Sequence, residues 1–142
     1  MAEDNLNPHE ISVLVIDDDP IALENAQIIL DQIGITCDIA KSGFEGIDLV
    51  KLRHARRMDY DLILINWRMP EMDGVETTRK IRAIAGRDTP IIILTLVNWD
   101  DIADEAKGAG VDTFVPKPLF AGSVMDEFRE VFKCKNEVAV PI

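Results

Sequence analysis

The stretch Val13-Leu14-Val15-Ile16-Asp17-Asp18-Asp19-Pro20 contains a strand, an acidic turn and the start of a helix. An apolar run of this kind is typical of a strand that helices bury on both faces. Asp19 followed by Pro20 is typical of a helix N-cap with proline at the first helical position. The stretch therefore predicts a βα unit with a polar patch where its strand ends.

Similar units follow along the rest of the chain. Strands are predicted at residues 12–16, 35–40, 61–65, 90–95 and 111–115, and the polar second run is typical of a sheet edge. Helices are predicted after Asp19, after Ser42, after Asp73-Gly74, near 100–107 and near 121–134, with Gly34 ending the first. The inward faces are predicted to include Ala22, Ala26, Ile29, Leu30 and Ile33, then Phe44, Ile47 and Val50, then Val75, Thr78, Ile81 and Ala85. Five βα units predict an α/β fold with a doubly wound parallel sheet.

The chain has the size of one domain and is strongly acidic. Its 142 residues carry a formal net charge of -11, so we expect no nucleic-acid partner and no direct membrane contact. No apolar run approaches the ~18 residues of a membrane span, and Cys37 and Cys134 form no C-x-x-C motif, as in reduced cytoplasmic proteins. One domain is expected at 11–134, between polar tails at 1–10 and 135–142. We expect it in the cytoplasm, although a longer parent protein could be membrane-anchored.

Polar residues are expected to meet where four of the strands end. They are Asp17 and Asp18 after the first run, Asn66 after the third, Thr95 closing the fourth and Lys117 after the fifth. Ligands of doubly wound sheets bind at this edge. Two carboxylates about 4 Å apart repel by ~1 to 4 kcal/mol, so the site calls for a cation, and its oxygen ligands favour Mg²⁺. Lys117 and Thr95 would supply a positive charge and a hydroxyl donor to a phosphoryl group.

Four segments in chain order resemble the receiver domain of two-component response regulators. They lie at 13–20, 61–74, 93–95 and 115–118, and the resemblance covers about residues 11 to 134. The residues around Trp99-Asp100-Asp101 and Lys117-Pro118-Leu119-Phe120 are most similar to receivers of hybrid histidine kinases. Membership implies a flavodoxin-like (βα)5 fold with a five-stranded parallel sheet in the order 2-1-3-4-5.

The resemblance also implies a role for each site residue. Asp18 binds Mg²⁺ directly, Asp17 helps through water, and the main-chain carbonyl of Arg68 and the side chain at position 66 complete the ligands. A histidine kinase or a histidine phosphotransfer domain passes a phosphoryl group to position 66. Thr95 and Lys117 then turn toward the phosphoryl oxygens, and the ring of Phe114 moves into the space that Thr95 leaves. This switch repacks the surface of the fourth helix, fifth strand and fifth helix.

Asn66 departs from this scheme, because the family has aspartate at the phosphoacceptor position. A neutral amide is a poor nucleophile and its NH₂ group only donates hydrogen bonds. We therefore expect no phosphorylation at position 66 and weaker Mg²⁺ binding than in Asn66→Asp. Either the parent has aspartate and Asn66 was installed to lock the unphosphorylated state, or the receiver is naturally degenerate. Leu96 stands where the family has a small residue and could crowd the pocket, and Pro116 removes a ladder donor.

Three other interpretations stay open at this point. Asp17, Asp18 and Asp19 together could be only a solvated turn and helix cap. The same three residues resemble the Asp-x-Asp pair of haloacid-dehalogenase-like phosphatases, but Ile21 stands where that family has Thr or Val, so we expect no enzyme. A degenerate receiver could also act as a phosphorylation-independent interaction module, with a kinase, a phosphotransfer domain or a second receiver in a homodimer as its partner.

Overall fold

The predicted sheet is present, with all strands parallel. The computed structural model describes residues 11–96, 100 and 103–117. The strands are β1 (Val13–Ile16), β2 (Cys37–Ala40), β3 (Leu62–Asn66), β4 (Ile91–Thr95) and β5 (Thr113–Pro116). The helices are α1 (Pro20–Gln32), α2 (Gly43–Ala55), α3 (Gly74–Ala85) and α4 (Ala103–Ala109). The predicted fifth helix, both tails and Trp99 lie outside the described residues.

The strand order β2-β1-β3-β4-β5 confirms the predicted flavodoxin-like topology. The chain moves outward from β1 to β2, returns across β1 to β3, and then continues to β4 and β5. The order therefore reverses between β1 and β3, and the loops that follow these two strands leave in opposite directions. In such sheets a crevice opens at this switch point, beyond the carboxyl ends of the strands.

The register brings the predicted site residues to one edge of the sheet. Ile16 pairs with Ile65, so the residues that follow them, Asp17 and Asn66, are neighbours at the ends of β1 and β3. Asn66 pairs with Leu94, one position before Thr95. Thr95 pairs with Pro116, one position before Lys117. The carboxyl ends of β1, β3, β4 and β5 thus lie side by side at one edge of the sheet, although these strands are distant in sequence.

Two apolar layers cover the sheet. Leu14 and Ile16 of β1 point to the side of α2 and α3, whereas Val13 and Val15 point to the side of α1. Side chains alternate between the faces of a strand, so both faces of β1 are apolar because both are buried. Burying one such side chain stabilises the fold by about 1.5 to 3 kcal/mol. The buried sheet therefore holds the polar residues at its edge in fixed positions.

The helix starts follow the sequence signals closely. The Asp19 carboxylate accepts a hydrogen bond from the Ile21 N–H, and the Ser42 hydroxyl accepts one from Glu45. Gly34 adopts a positive φ of 85° just after α1, a conformation that costs glycine little. α4 is described over Ala103–Ala109, which overlaps the helix predicted near 100–107. Among the described residues, no helix is both long and apolar enough to cross a membrane.

Two predicted inward positions are wrong. Phe44 is 53% exposed, because α2 approaches the sheet and α3 through glycines at this end. A Cβ atom added to Gly46 would overlap the Ile16 side chain, and one added to Gly43 would overlap the Thr77 hydroxyl. In α1 the buried face extends from Ala26, Ile29 and Leu30 to Leu23 and leaves Ala22 at its margin, half-buried.

Candidate functional site

Asp17 is a buried carboxylate with three defined contacts. Only 1% of its side chain is exposed, and one carboxylate oxygen accepts a hydrogen bond from Lys117 Nζ at 2.8 Å. The other oxygen accepts from the Asp19 N–H at 3.0 Å, and the Asp17 N–H donates to the Ala40 carbonyl at 3.1 Å. Asp17 is therefore not part of a solvated turn, although Asp18 and Asp19 are exposed.

Lys117 reaches this carboxylate from the end of β5. Its N–H donates to the Thr95 carbonyl at 3.0 Å, which continues the ladder past the exposed Pro116. Pro116 has no N–H to donate to the β4–β5 ladder, and the Lys117 N–H supplies the next hydrogen bond in its place. The Lys117 side chain is 18% exposed and the Asp17 side chain 1% exposed, so the ion pair is largely buried at this edge of the sheet.

Asn66 lies at the end of β3 and bridges two segments. Its Nδ2 donates to Asp18 Oδ1 at 3.2 Å and to the main-chain carbonyl of Arg68 at 2.7 Å. Both partners are acceptors, so the nitrogen of the amide has to face them. The side chain predicted at the phosphoacceptor position thus joins the acidic turn after β1 to the segment after β3.

Gly74 shapes the segment after β3, although its sequence pattern indicates only the start of a helix. A Cβ atom on Gly74 would lie 2.5 Å from the Asn66 carbonyl, and the Gly74 N–H donates to the Trp67 carbonyl at 2.7 Å. The Arg68 guanidinium lies 4.5 Å from the centre of the Trp67 ring, a cation–π contact. These contacts fold the segment back over β3 and place the Arg68 carbonyl beside Asn66.

The two predicted switch residues lie on the same face of the sheet. Thr95 is 3% exposed, and side-chain alternation places it on the face of Ile93, which pairs with Phe114. Phe114 is half-buried and packs against the apolar layer of α2, α3 and α4. Leu96 is 82% exposed, so its side chain extends into solvent and is not packed into the crevice.

The donor set fits a hard cation only in part. Asp18 and the Arg68 carbonyl converge closely enough to accept from one nitrogen, and such oxygens suit Mg²⁺. Asn66 presents N–H groups to them, so it offers a cation no oxygen unless its amide rotates. Among the described residues there is no group of three or more acidic, histidine or cysteine ligands. An aspartate at position 66 would complete the predicted set.

A doubly wound sheet with acidic, hydroxyl and lysine side chains at its switch point defines a class of phosphoryl-handling domains. The chain belongs to one family of that class, the response regulator receiver domains, whose family model matches residues 13–129. Two curated relatives are similar to most of the chain. The probable histidine kinase 2 of Oryza sativa subsp. indica is 30% identical over 136 residues, which cover 87% of this chain and 13% of that protein. Response regulator MprA of Mycobacterium sp. strain KMS is 29% identical, over 87% of this chain and 51% of that protein.

Solved structures of kinase receivers are also similar. The receiver of the histidine kinase CKI1 from Arabidopsis thaliana, complexed with Mg²⁺, is 32% identical with a TM-score of 0.76, covering 85% of this chain and 91% of that chain. The receiver of the sensor histidine kinase PA1611 from Pseudomonas aeruginosa PAO1 has a magnesium ion in its active site cleft. It is 25% identical with a TM-score of 0.74, covering 87% of this chain and 98% of that chain.

Proposed function

We propose that this chain is a receiver domain of the kind found in hybrid histidine kinases, in which Asn66 at the phosphoacceptor position blocks phosphoryl transfer. The observation that carries the proposal is the position of Asn66 at the end of β3, beside the acidic turn and the Arg68 carbonyl. The similarity to the rice and Arabidopsis kinases supports the hybrid-kinase placement. The chain spans only 13% of the rice kinase, so the stimulus and output of any parent protein stay outside the proposal.

The residues of the site have separate tasks in this proposal. Asp18 and the Arg68 carbonyl would hold Mg²⁺, with Asp17 contributing through water, and the ion would neutralise the charge of an incoming phosphoryl group. Lys117 is already directed into the crevice by its contact with Asp17. Its ammonium group can reach phosphoryl oxygens there, and Thr95 at the end of β4 can donate its hydroxyl proton to them.

Position 66 decides whether a covalent step occurs. An aspartate would attack phosphorus with a carboxylate oxygen and displace the donor histidine, giving an acyl phosphate. The Asn66 amide is neutral, and its Nδ2 hydrogens are already donated to Asp18 and Arg68. We therefore propose that the unsubstituted chain with Asn66, called the natural chain in the experiments below, is neither an enzyme nor a phosphoacceptor, although it keeps the other residues of the site.

The proposed partners are a histidine kinase or a histidine phosphotransfer domain. They would contact the surface that includes α4 (Ala103–Ala109) and β5 (Thr113–Pro116) together with the predicted fifth helix. A net charge of -11 disfavours nucleic acid as a partner. Since phosphohistidine donors are made with ATP, we place the domain in the cytoplasm.

A second candidate follows from the same Asn66 contacts. If the amide bridge already gives the domain one stable arrangement, the domain can bind a kinase, a phosphotransfer domain or another receiver without any phosphate. This interaction module predicts that partner affinity is the same with and without Mg²⁺ and in Asn66→Asp. A phosphorylation-dependent switch predicts a change of affinity only in Asn66→Asp, because a ligand shifts a population only by its differential affinity.

The first experiment is intact-mass measurement after incubation with Mg²⁺ and acetyl phosphate. We expect no mass increase for the natural chain and one phosphoryl group on Asn66→Asp. Asn66→Asp combined with Lys117→Met is the matched control and should stay unmodified, because it keeps the nucleophile and loses the ammonium group. A phosphoryl group on the natural chain, or none on Asn66→Asp, would contradict the proposal of a working site locked by one residue.

A further inference from the structure

The Asn66 amide nitrogen contacts acceptors from two segments of the chain. One nitrogen atom donates to the Asp18 carboxylate at 3.2 Å and to the Arg68 carbonyl at 2.7 Å. An amide NH₂ group has two hydrogens, so both are used in these bonds. The two acceptors come from different segments, the turn after β1 and the segment after β3. The amide is therefore a cross-link between them, at the point where their oxygen atoms converge.

These two oxygens are also the direct protein ligands that the receiver resemblance assigns to Mg²⁺ besides position 66. A cation at this point would attract the Asp18 carboxylate and the Arg68 carbonyl with its positive charge. The Nδ2 group does the same with two partly positive hydrogens, and hydrogen bonds to an ionised acceptor are stronger than neutral ones. The amide nitrogen and a cation would thus compete for the same two atoms.

The local charge balance attracts a cation less strongly than it would with aspartate at position 66. Asp17 and Asp18 contribute two negative charges and Lys117 one positive charge, which leaves a formal charge of −1. Aspartate at position 66 would make it −2 and would place another carboxylate beside Asp18. Carboxylates this close repel unless a cation lies between them. The natural chain lacks that repulsion, because Asn66 is neutral and turns its donors toward Asp18.

We propose that Asn66 is a positioning residue that takes the place of the divalent cation and holds the crevice in a metal-independent arrangement. The inference rests on the proposed function, since it takes position 66 to be the phosphoacceptor position of a receiver. It goes further because it assigns Asn66 a structural role. The proposed function requires only that Asn66 cannot attack phosphorus. Mg²⁺ can reach Asp18 and Arg68 only after both amide hydrogen bonds break, so we expect binding at least about tenfold weaker than in Asn66→Asp.

The test measures Mg²⁺ affinity and thermal stability together. Trp67 lies next to Asn66 and packs on the core, so its fluorescence reports on the crevice in a Trp99→Phe background. The melting temperature of the natural chain should be the same in EDTA and in Mg²⁺. Asn66→Asp should melt lower in EDTA and recover in Mg²⁺. Asn66→Ala should melt below the natural chain in EDTA, because both cross-links are lost.

A control variant separates the site from a general charge effect. Asn25 is exposed on α1, so Asn25→Asp adds the same charge away from the crevice and should leave Mg²⁺ affinity unchanged. A direct readout comes from NMR. The side-chain NH₂ signals of Asn66, assigned by their loss in Asn66→Ala, should not move when Mg²⁺ is added.

The inference and the proposed function fail in different ways. If the natural chain binds Mg²⁺ as tightly as Asn66→Asp, or if Asn66→Ala melts at the same temperature as the natural chain in EDTA, the amide does not replace the cation. Phosphorylation of Asn66→Asp would still support the proposed function in that case. If Asn66→Asp binds Mg²⁺ tightly but acetyl phosphate does not modify it, the proposed function fails while the positioning role of Asn66 stands.

Discussion

Lys117 and Asp17 form an ion pair between residues that are 100 positions apart in sequence. Asp17 is almost fully buried, and its second oxygen is held by the Asp19 N–H. A buried carboxylate that loses its cationic partner keeps the cost of desolvation without the compensating attraction. Lys117, which we propose lies near a phosphoryl group, thus also compensates the buried charge of Asp17.

The first prediction concerns Lys117→Met. We expect the free energy of unfolding to fall by about 2 to 4 kcal/mol, less than for a fully buried pair because Lys117 keeps some solvent access. Urea denaturation at neutral pH measures the change. The double variant Lys117→Met with Asp17→Asn should recover part of the loss. Equal losses in the single and double variants would show that the ion pair is not the cause.

Tyr60 provides a prediction of pH dependence at the same scale. Its hydroxyl donates to Asp38 at 2.6 Å, and the Arg53 guanidinium lies 4.3 Å from its ring centre. Burial, and then the hydrogen bond to Asp38, raise the pKa of Tyr60 above its ordinary value. The folded state therefore binds the phenol proton more tightly than the unfolded state does.

The sign of the effect follows from that difference in proton binding. The contribution of Tyr60 to stability is complete below its unfolded pKa of about 10 and declines as the pH rises above it. We expect the free energy of unfolding to fall above about pH 10, with a shallower fall in Tyr60→Phe. Urea titrations at several alkaline pH values compare the slopes. Identical slopes would mean that another group controls alkaline unfolding.

At the level of elements, α2 packs closely because it presents glycines to its neighbours. Gly46 faces Ile16 of β1, and Gly43 faces Thr77 of α3. A glycine inside a helix normally costs stability, because its backbone loses more freedom on folding. Glycine is still favoured at these two positions, because a Cβ atom would overlap Ile16 of β1 or Thr77 of α3. The position of α2 therefore depends on the absence of two side chains.

Substitution of these glycines tests the packing of α2. We expect Gly46→Ala to lower the free energy of unfolding by about 1 to 3 kcal/mol through overpacking against Ile16. Gly108 of α4 is the matched control, since a Cβ atom there meets nothing within 4 Å. Gly108→Ala should be neutral or stabilise by up to about 1 kcal/mol. Thermal melts measure the stability of both variants. If Gly46→Ala is as stable as the unsubstituted chain, the close approach of α2 to Ile16 is contradicted.

Across the whole molecule, Arg82 ties the end of α3 to the strands beyond it. Its guanidinium donates to the carbonyls of Gly86, Thr89 and Gly110 and to the Asp112 carboxylate. The Asp112 carboxylate also accepts from the Ile91 N–H at 2.8 Å. Burial lowers the pKa of Arg82, while the charge of Asp112 opposes that shift. One side chain thus aligns the starts of β4 and β5 with α3.

Removal of this guanidinium should destabilise the fold. We expect Arg82→Met to lower the free energy of unfolding by about 2 to 4 kcal/mol, because the partly buried carbonyls of Thr89 and Gly110 and the Asp112 carboxylate lose their donor. Arg79 lies one turn earlier and makes an exposed ion pair with Glu76 at 3.1 Å. Arg79→Met should therefore change stability by no more than about 0.5 kcal/mol. Equal effects in urea denaturation would rule out a special role for Arg82.

The proposed switch would involve the whole molecule, and beryllofluoride can test it. With Mg²⁺ present, we expect this phosphoryl mimic to change the environment of Phe114 in Asn66→Asp but not in the natural chain. The measurement is ¹⁹F NMR of fluorophenylalanine-labelled protein, with the Phe114 signal assigned by Phe114→Leu. A shift in the natural chain would show that the crevice accepts the mimic without a carboxylate at position 66.

Strand positions, helix starts and the sheet edge that gathers the polar residues were readable from local patterns, whereas the strand order followed from the family resemblance. Apolar runs identified the buried strands, and Asp19 and Ser42 identified two helix starts, because capping involves atoms only a few residues apart. The site residues were found because parallel strands end at one edge of the sheet. Apolar runs, helix caps and strand ends all depend on interactions between residues that are close together in the sequence.

The remaining features depend on contacts between residues far apart in the chain. Phe44 was predicted to be buried and is exposed. The glycines of α2 contact Ile16 and Thr77 instead, and the distance between α2 and these neighbours cannot be read from a local sequence pattern. The sequence predicts no phosphoryl transfer to Asn66. Its bridge between Asp18 and Arg68 became visible only when β1 and β3 lay side by side, since a hydrogen bond requires its donor and acceptor to be brought together by the folded sheet.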